Sequence, residues 1–549
     1  MINKKIIWVL LVGIVILAAV LRLWQLGSVP PSPDWDEVAL GYDAYSIIHT
    51  GRDEFGKFLP VVLRSFDDYK PALYAYLTVP SVLAFGLTVF AVRLPSAIFG
   101  TLSVLALFFL IRELFSEHKY KDYFALLASF ILAISPWSIQ FSRVGFEANV
   151  GVALNMFAVL FFLKSFKNPI SLYISAFFAG LSIYVYQSEK AFVPLLFLAL
   201  ALIYRKKLLG IGKKHVFAAV IFGLIVVSPM VFYIIGNRAA LLRVTGTSIF
   251  TYKTEILKTD IARLQRDQAS GDIVGLILDN RRITYAKTII GGYLSHFDPN
   301  WLFVTGDISR HHAPGMGLLY LFEFPLLILG IYMLLFGDFD KKTKLIVFSW
   351  FLLAPVPASI TTEVPHAVRT LNFLPTFQIF SALGLFCLIN IVNKYKKTKI
   401  IFYAAFSLIF IFNFSYYLNQ YFVQLNYYDS ADWQYGYKQA VEEVSLLADK
   451  YKEIVVSDNQ PMDKSYMFFL FYLKYPPQEY QKIGDKSAGG YAAHHTFGKY
   501  TFRPIDWQKD STRHGVLYIG SPGEIPNGVS VTKTIYDVNG QPAILIVGT

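Results

Sequence analysis

The stretch IIWVLLVGIVILAAVLRLW at Ile6–Trp24, followed by SPDWDEVALGYDAY at Ser32–Tyr45, decides how this chain is read. The first part is an unbroken apolar run preceded by Lys4 and Lys5. About 20 such residues cross the ~30 Å hydrocarbon layer of a bilayer. Its length, Arg22 near its end and the lack of a small-residue cleavage site favour an uncleaved anchor with its start in the cytoplasm. The second part sets Asp34, Asp36 and Glu37 just beyond the run, where the chain leaves the membrane. Composition agrees along the whole length: the 549 residues are 55% hydrophobic, 17% aromatic and 16% charged. Soluble domains carry about 25% charged residues, so a soluble multidomain enzyme and a disordered chain are both excluded. The net charge of +12 comes with no basic stripe interleaved with aromatics, so no nucleic-acid partner is expected. The single Cys387 lies in an apolar run, which excludes a disulfide framework and a thiolate metal site.

Further apolar runs begin near Pro71, Val92, Tyr123, Val150, Leu172, Ala191, Val216, Gly317, Leu345, Arg369 and Ile400, making about twelve. If all crossed, Arg205, Lys206, Lys207, Lys213 and Lys214 would face outside, as would Lys394, Lys396, Lys397 and Lys399. Short cytoplasmic loops carry the excess of Lys and Arg, so this assignment fails. Withdrawing the run from Pro71 to Phe90, which Pro80, Ser81 and Gly86 interrupt, repairs every later loop. It reads as a helix lying at the outer interface. The expectation is a mainly α, polytopic membrane protein with about eleven transmembrane helices. Its membrane domain spans 1–424, with outer loops at 27–90 and 236–315. Residues 425–549 gain charge, Gly and Pro and read as a small extracytoplasmic α/β domain. A helix is predicted near Gln434–Tyr451, with strands at Ile454–Val456, Val516–Ile519 and Ala543–Val547.

Ionisable residues are costly within a span, and here they collect at the predicted outer ends of spans. Asp36 and Glu37 open a short amphipathic segment, where an acid either caps a helix or serves as a base toward a hydroxyl. Lys70, Lys190 and Arg369 are either headgroup anchors or, together with His366, cations for a phosphate group. Arg143 and Glu147, four apart, read equally as a salt bridge or as substrate-binding groups. Asp68 and His311 lie on the same predicted face. His311 and His312 are adjacent and lack ligand spacing, so no metal centre is expected. No Gly-rich phosphate loop occurs on the inner side, so neither a nucleotide nor another cofactor is expected, with a divalent metal as the open alternative.

The order of these features resembles the GT-C superfamily of polyprenyl-phosphate-sugar-dependent glycosyltransferases. It is more closely similar to glycosyltransferase family 39, which holds protein mannosyltransferases and bacterial lipid A aminoarabinose transferases. The similarity covers about residues 1–200, through Asp36-Glu37, Tyr69-Lys70-Pro71 and Val92-Arg93-Leu94-Pro95-Ser96. It is looser over 290–390, at Ser295-His296-Phe297, Arg310-His311 and His366-Ala367-Val368-Arg369. The resemblance implies that Asp36 is the catalytic acid of the first outer loop, with Glu37 beside it. It places Lys70 near the donor phosphate and Lys190 near the same group. Glu147 stands where the family often has Asp. The implied reaction moves a monosaccharide from a polyprenyl phosphate to a hydroxyl at the outer face of the plasma (inner) membrane, with inversion. Its partners are the lipid-linked sugar, an acceptor lipid, glycan or protein, and the bilayer. In that reaction Asp36 takes the hydroxyl proton, while Lys70, Arg369 and either Lys190 or His366 stabilise the leaving phosphate. Two readings compete. An oligosaccharyltransferase or polymer ligase would carry a tryptophan-rich soluble motif that is missing here. A lipid or oligosaccharide transporter or flippase would place ionisable groups at mid-depth.

Overall fold

Apolar sequence of this length, with no water to satisfy its backbone, forms helices, and each long run does so. The computed structural model describes residues 3–66, 68–237, 246–250, 255–395, 399–483 and 495–549. Asp67, Lys396 and Lys397 lie outside the described residues, as does the side chain of Asp68. In chain order the first helices are α1 (Lys4–Leu23), α2 (Trp35–Thr50), α3 (Leu73–Phe85), α4 (Val89–Leu114), α5 (Lys121–Ile134) and α6 (Pro136–Ser142). They are followed by α7 (Ala148–Lys164), α8 (Ile170–Ser182), α9 (Glu189–Ile203), α10 (Arg205–Ile211) and α11 (Lys213–Gly236). The later apolar runs form Glu323–Phe336, Lys341–Leu353, Leu374–Val392 and Lys399–Asn419.

Among the described residues, α1, α4, α11 and the segments Leu371–Val392 and Lys399–Tyr428 are long and apolar enough to cross a bilayer. The pair α5 and α6, bent by 58°, is a further candidate. Gly86, at φ +71°, separates α3 from α4, and Thr88 then caps α4 by accepting from the Ala91 N–H at 3.2 Å.

Two cavities lie at opposite ends of the bundle. Glu147, just before α7, and Gln187, just before α9, line one of them. Leu163 near the end of α7, Tyr204 after α9 and Leu114 at the end of α4 line the other. This second cavity, about 870 Å³, also gathers Lys119, Lys167, Lys207 and Lys342. These come from the loops that the charge pattern of the sequence leads one to expect on the cytoplasmic side.

The C-terminal part is built on a six-stranded sheet. Its strands are β3 (Glu453–Val456), β4 (His495–Phe497), β5 (Tyr500–Phe502), β6 (Val516–Gly520), β7 (Lys533–Tyr536) and β8 (Pro542–Gly548). The order is β4-β5-β3-β6-β8-β7, with β3 parallel to both β5 and β6 and the remaining pairs antiparallel. Predicted strands at 454–456, 516–519 and 543–547 fall within β3, β6 and β8. The predicted helix is Tyr437–Leu447 followed by a short 3-10 turn at Ala448–Lys450.

The helix α2 joins the two parts. One side of it packs on α4, and the other shares a core with Tyr437, Phe468 and Phe497 of the sheet domain. Gly41 is where the three approach most closely. A Cβ there would meet Val92 at 2.6 Å and Phe471 at 2.7 Å. Gly41→Val should therefore overpack the joint and cost about 1–3 kcal/mol. A lower unfolding midpoint of the detergent-solubilised protein checks this; an unchanged midpoint contradicts it.

Candidate active site

The residues that open α2 divide their work between capping, packing and facing the cavity. Asp34 is the N-cap: its Oδ1 accepts from the backbone N–H of Asp36 at 2.9 Å and of Glu37 at 3.0 Å. Glu37 closes the capping box by accepting from the Asp34 N–H at 3.2 Å. Helix capping thus falls to Asp34 and leaves the Asp36 carboxylate to pair with the Lys70 ammonium. Burial, followed by the neighbouring Asp36 charge, pushes the Asp34 carboxyl up to about 6, although Arg310 donates to it at 3.1 Å.

Glu37 is fully buried and does not reach the cavity wall. Its Oε1 accepts from Arg93 Nε at 2.8 Å and from the Gly145 N–H at 2.8 Å, and its Oε2 accepts from Arg93 Nη2 at 3.0 Å. Arg93 spends its other N–H groups on the carbonyls of Leu26, Pro30 and Ser32 at 2.7–3.1 Å. A carboxylate held this way is a structural anchor with no lone pair left for a hydroxyl acceptor. Arg143 is likewise withdrawn: it is buried and donates to the carbonyls of Leu21 at 2.9 Å and Val29 at 3.0 Å.

A hairpin of β1 (Val62–Ser65) and β2 (Asp68–Pro71) delivers Lys70 to the cavity, paired in register with Leu63. Lys70 is 4% exposed, which removes it from the headgroup layer where a snorkelling lysine would end. The cavity measures about 680 Å³ and brings together Asp36, Lys70, Glu147, His311, His366 and Arg369 from five separate stretches of chain. Lys190 borders a smaller neighbouring cavity of about 260 Å³ and donates to Gln187 Oε1 at 2.6 Å. Gln187 in turn donates to the Tyr69 carbonyl at 2.7 Å. Arg369 lines both cavities, and its Nη1 is braced on Thr361 Oγ1 at 2.7 Å.

The far wall comes from the loop 306–312 and the turn 363–369. Asp307 Oδ2 accepts from His311 Nδ1 and from the Ala367 N–H, both at 2.8 Å. Burial pushes the Asp307 carboxyl up, but His311 and the Ala367 N–H outweigh it and hold it at about 2. His366 is kept well below the usual imidazole range by burial, then by His311 and Arg369, so it enters the site neutral. Its amide N–H donates to His296 Nε2 at 3.2 Å, while His296 Nδ1 donates to the Gly292 carbonyl at 2.6 Å. Burial lowers His296 to about 4, which suits this neutral tautomer. At the mouth, Trp35 lies between two cations: Arg310 is 4.1 Å from its ring centre and Lys464 of the sheet domain 3.5 Å. Sequence reasoning passed over Asp307, Gln187 and Lys464. Only the first left a trace, the Asp-x-x-x-His spacing of Asp307 and His311.

Comparison with known proteins follows this geometry. The family described as dolichyl-phosphate-mannose-protein mannosyltransferase matches residues 69–233, the segment that holds Lys70, Glu147 and Lys190. In structure the chain is similar to ArnT from Cupriavidus metallidurans in the apo state, with a TM-score of 0.54 and 12% identity over 99% of this chain and 98% of that one. The same protein bound to undecaprenyl phosphate gives 0.53 and 13%, over 98% of each chain. The archaeal oligosaccharyltransferase AglB from Archaeoglobus fulgidus gives 0.49 and 14% over 85% of this chain, which spans 64% of AglB's length. No curated protein matches by sequence. The fold is thus similar to that of ArnT, residues 69–233 carry the likeness to the mannosyltransferase family, and among the described residues five helices are long and apolar enough to cross a membrane.

Removing one partner of a buried ion pair costs about 3–5 kcal/mol. Glu37→Gln strands the Arg93 charge and should lower the unfolding midpoint sharply, whereas Asp36→Asn, at a half-exposed carboxylate, should lower it much less. Thermal unfolding of both variants in one detergent is the check.

Proposed function

We propose that the chain transfers a monosaccharide from a polyprenyl-phosphate donor to a hydroxyl acceptor at the outer face of the plasma membrane. The observation that carries this reading is the Asp36–Lys70 pair at the wall of a cavity that Arg369 also lines. A carboxylate and two cations across one cavity are what a displacement with a phosphate leaving group needs. The undecaprenyl phosphate held by ArnT supports the donor class.

In this mechanism the acceptor hydroxyl approaches Asp36, which takes its proton as the oxygen forms a bond to the anomeric carbon. The bond from that carbon to the phosphate oxygen breaks, and the electron pair leaves with the lipid phosphate. One displacement inverts the centre. Negative charge grows on the phosphate as the bond breaks, so Lys70 and Arg369 contribute most in the transition state. Arg369 borders both cavities, which supports a phosphate held near it, with Lys190 on the wall of the smaller cavity. Glu147 and His311 line the remaining wall and serve the sugar or acceptor.

Asp36→Asn should leave the protein folded and reduce transfer by about 10²–10⁴-fold, the usual worth of a positioned base. Lys70→Ala should lower turnover at saturating donor, and Lys70→Arg should recover part of it, since Arg keeps the charge but not the geometry. Membranes supplied with labelled polyprenyl-phosphate sugars give the readout. Label that stays on the lipid with wild-type protein, or full activity of Lys70→Ala, refutes the proposal.

The orientation belongs to the same reading: the Lys70 cavity faces outward and the lysine-lined cavity faces the cytoplasm. In a Cys387→Ala background, a cysteine at the exposed Lys57 position of the loop that carries Lys70, Lys57→Cys, should react with a membrane-impermeant thiol reagent added to intact cells, and Gly210→Cys should not. Reaction at both would overturn the orientation.

A further inference from the structure

The loop 306–312 and the turn 363–369 hold a cluster of which the proposed transfer uses His311 alone, as a lining residue. Asp307, His311 and His366 present one ligand atom each, all within 4.8 Å of one another. Two further facts point the same way. Among the described residues, Asp307 Oδ1 and His366 Nδ1 are buried atoms with no hydrogen-bond partner. A buried carboxylate oxygen and a buried ring nitrogen that find no hydrogen-bond partner lose hydration with nothing in exchange. A cation between them satisfies both. The second fact is how firmly the cluster is held. The Ala367 N–H and His311 fix the Asp307 carboxylate, and His296 anchors the backbone of His366. Outer partners of this kind orient the ligands in protein metal sites.

We propose that Asp307, His311 and His366 bind one divalent transition-metal ion of the zinc class. Two imidazoles and one carboxylate are a nitrogen-rich set that suits zinc and its neighbours, whereas magnesium and calcium take oxygen ligands. Three protein ligands leave a fourth position, and it opens on the cavity lined by Lys70 and Arg369. Tetrahedral zinc at about 2.0–2.2 Å from each ligand draws the set together by about 1 Å, within the reach of side-chain rotation. His312, although adjacent to His311, turns to the Ala313 carbonyl at 3.0 Å. His311 is joined instead by His366, whose ring centre lies 5.1 Å from its own. Ion binding stands apart from the transferase reading, because it is measured with metal alone and no donor.

The test uses the full chain without a histidine tag, purified in detergent, stripped with chelator, exposed to zinc chloride and desalted. Elemental analysis should find about one zinc per chain, with most of it lost in His366→Ala and in Asp307→Asn variants that keep a monodisperse elution profile. Zinc content that neither substitution changes, or a wild-type chain that retains none, overturns the site. Cobalt loading of the wild-type chain needs no variant. Visible absorption of tetrahedral cobalt that zinc abolishes supports the site, and cobalt without such absorption refutes it.

Discussion

The buried contact between Arg93 and Glu37 is the constraint on which the candidate active site depends. Arg93 opens α4 and reaches back to three carbonyls of the segment that links α1 to α2. Glu37 completes the cap of α2 and takes the Gly145 N–H from the turn before α7. A guanidinium with five fixed donors can satisfy all these directions at once, which a lysine could not. The cost of burying both charges is offset only because nearly every polar atom finds a partner. Four stretches of chain are thereby held in one geometry before any substrate arrives.

From that fixed point, three acids within four residues acquire different roles. Asp34 is consumed by capping and by Arg310, Glu37 by Arg93, and Asp36 alone lies against the cavity with Lys70. Identical chemistry is sorted by environment: the first is raised by burial, the second is neutralised by a permanent cation, and the third meets a cation in a half-exposed position. The same sorting separates His311, His366 and His296 on the far wall, where partners rather than residue type decide what each ring nitrogen does.

Much of the architecture was legible in the sequence because it is written in local pattern. Apolar run length gave the helices of the bundle, and β-branched runs gave β3, β6 and β8. Gln434 was expected within a helix that instead begins at Tyr437, after Gly436 takes φ +106°. The site was legible only in part. Asp36 and Lys70 stood out by position, and they do meet. Glu37 looked equivalent to Asp36, and Arg143 looked like a rim residue, because their actual partners lie 56 and 114–122 residues away in sequence. Lys190 pointed to the same rim, but Gln187 holds it on the far side of a wall. Asp307 attracted no notice, since its meaning depends on a turn that begins more than fifty residues later. Periodicity reports on faces of helices and says nothing about which distant loop a charge will find.

Trp35 gives the joint between the two parts of the molecule a mechanical meaning. Its indole meets both an arginine from the loop 306–312 and a lysine from the sheet domain. Each cation over an aromatic face contributes about 0.5–2 kcal/mol. Moving either the loop or the domain costs the ring one of its two cations. The loop that lines the cavity and the sheet domain are therefore tied to each other through one indole, itself part of the cavity wall.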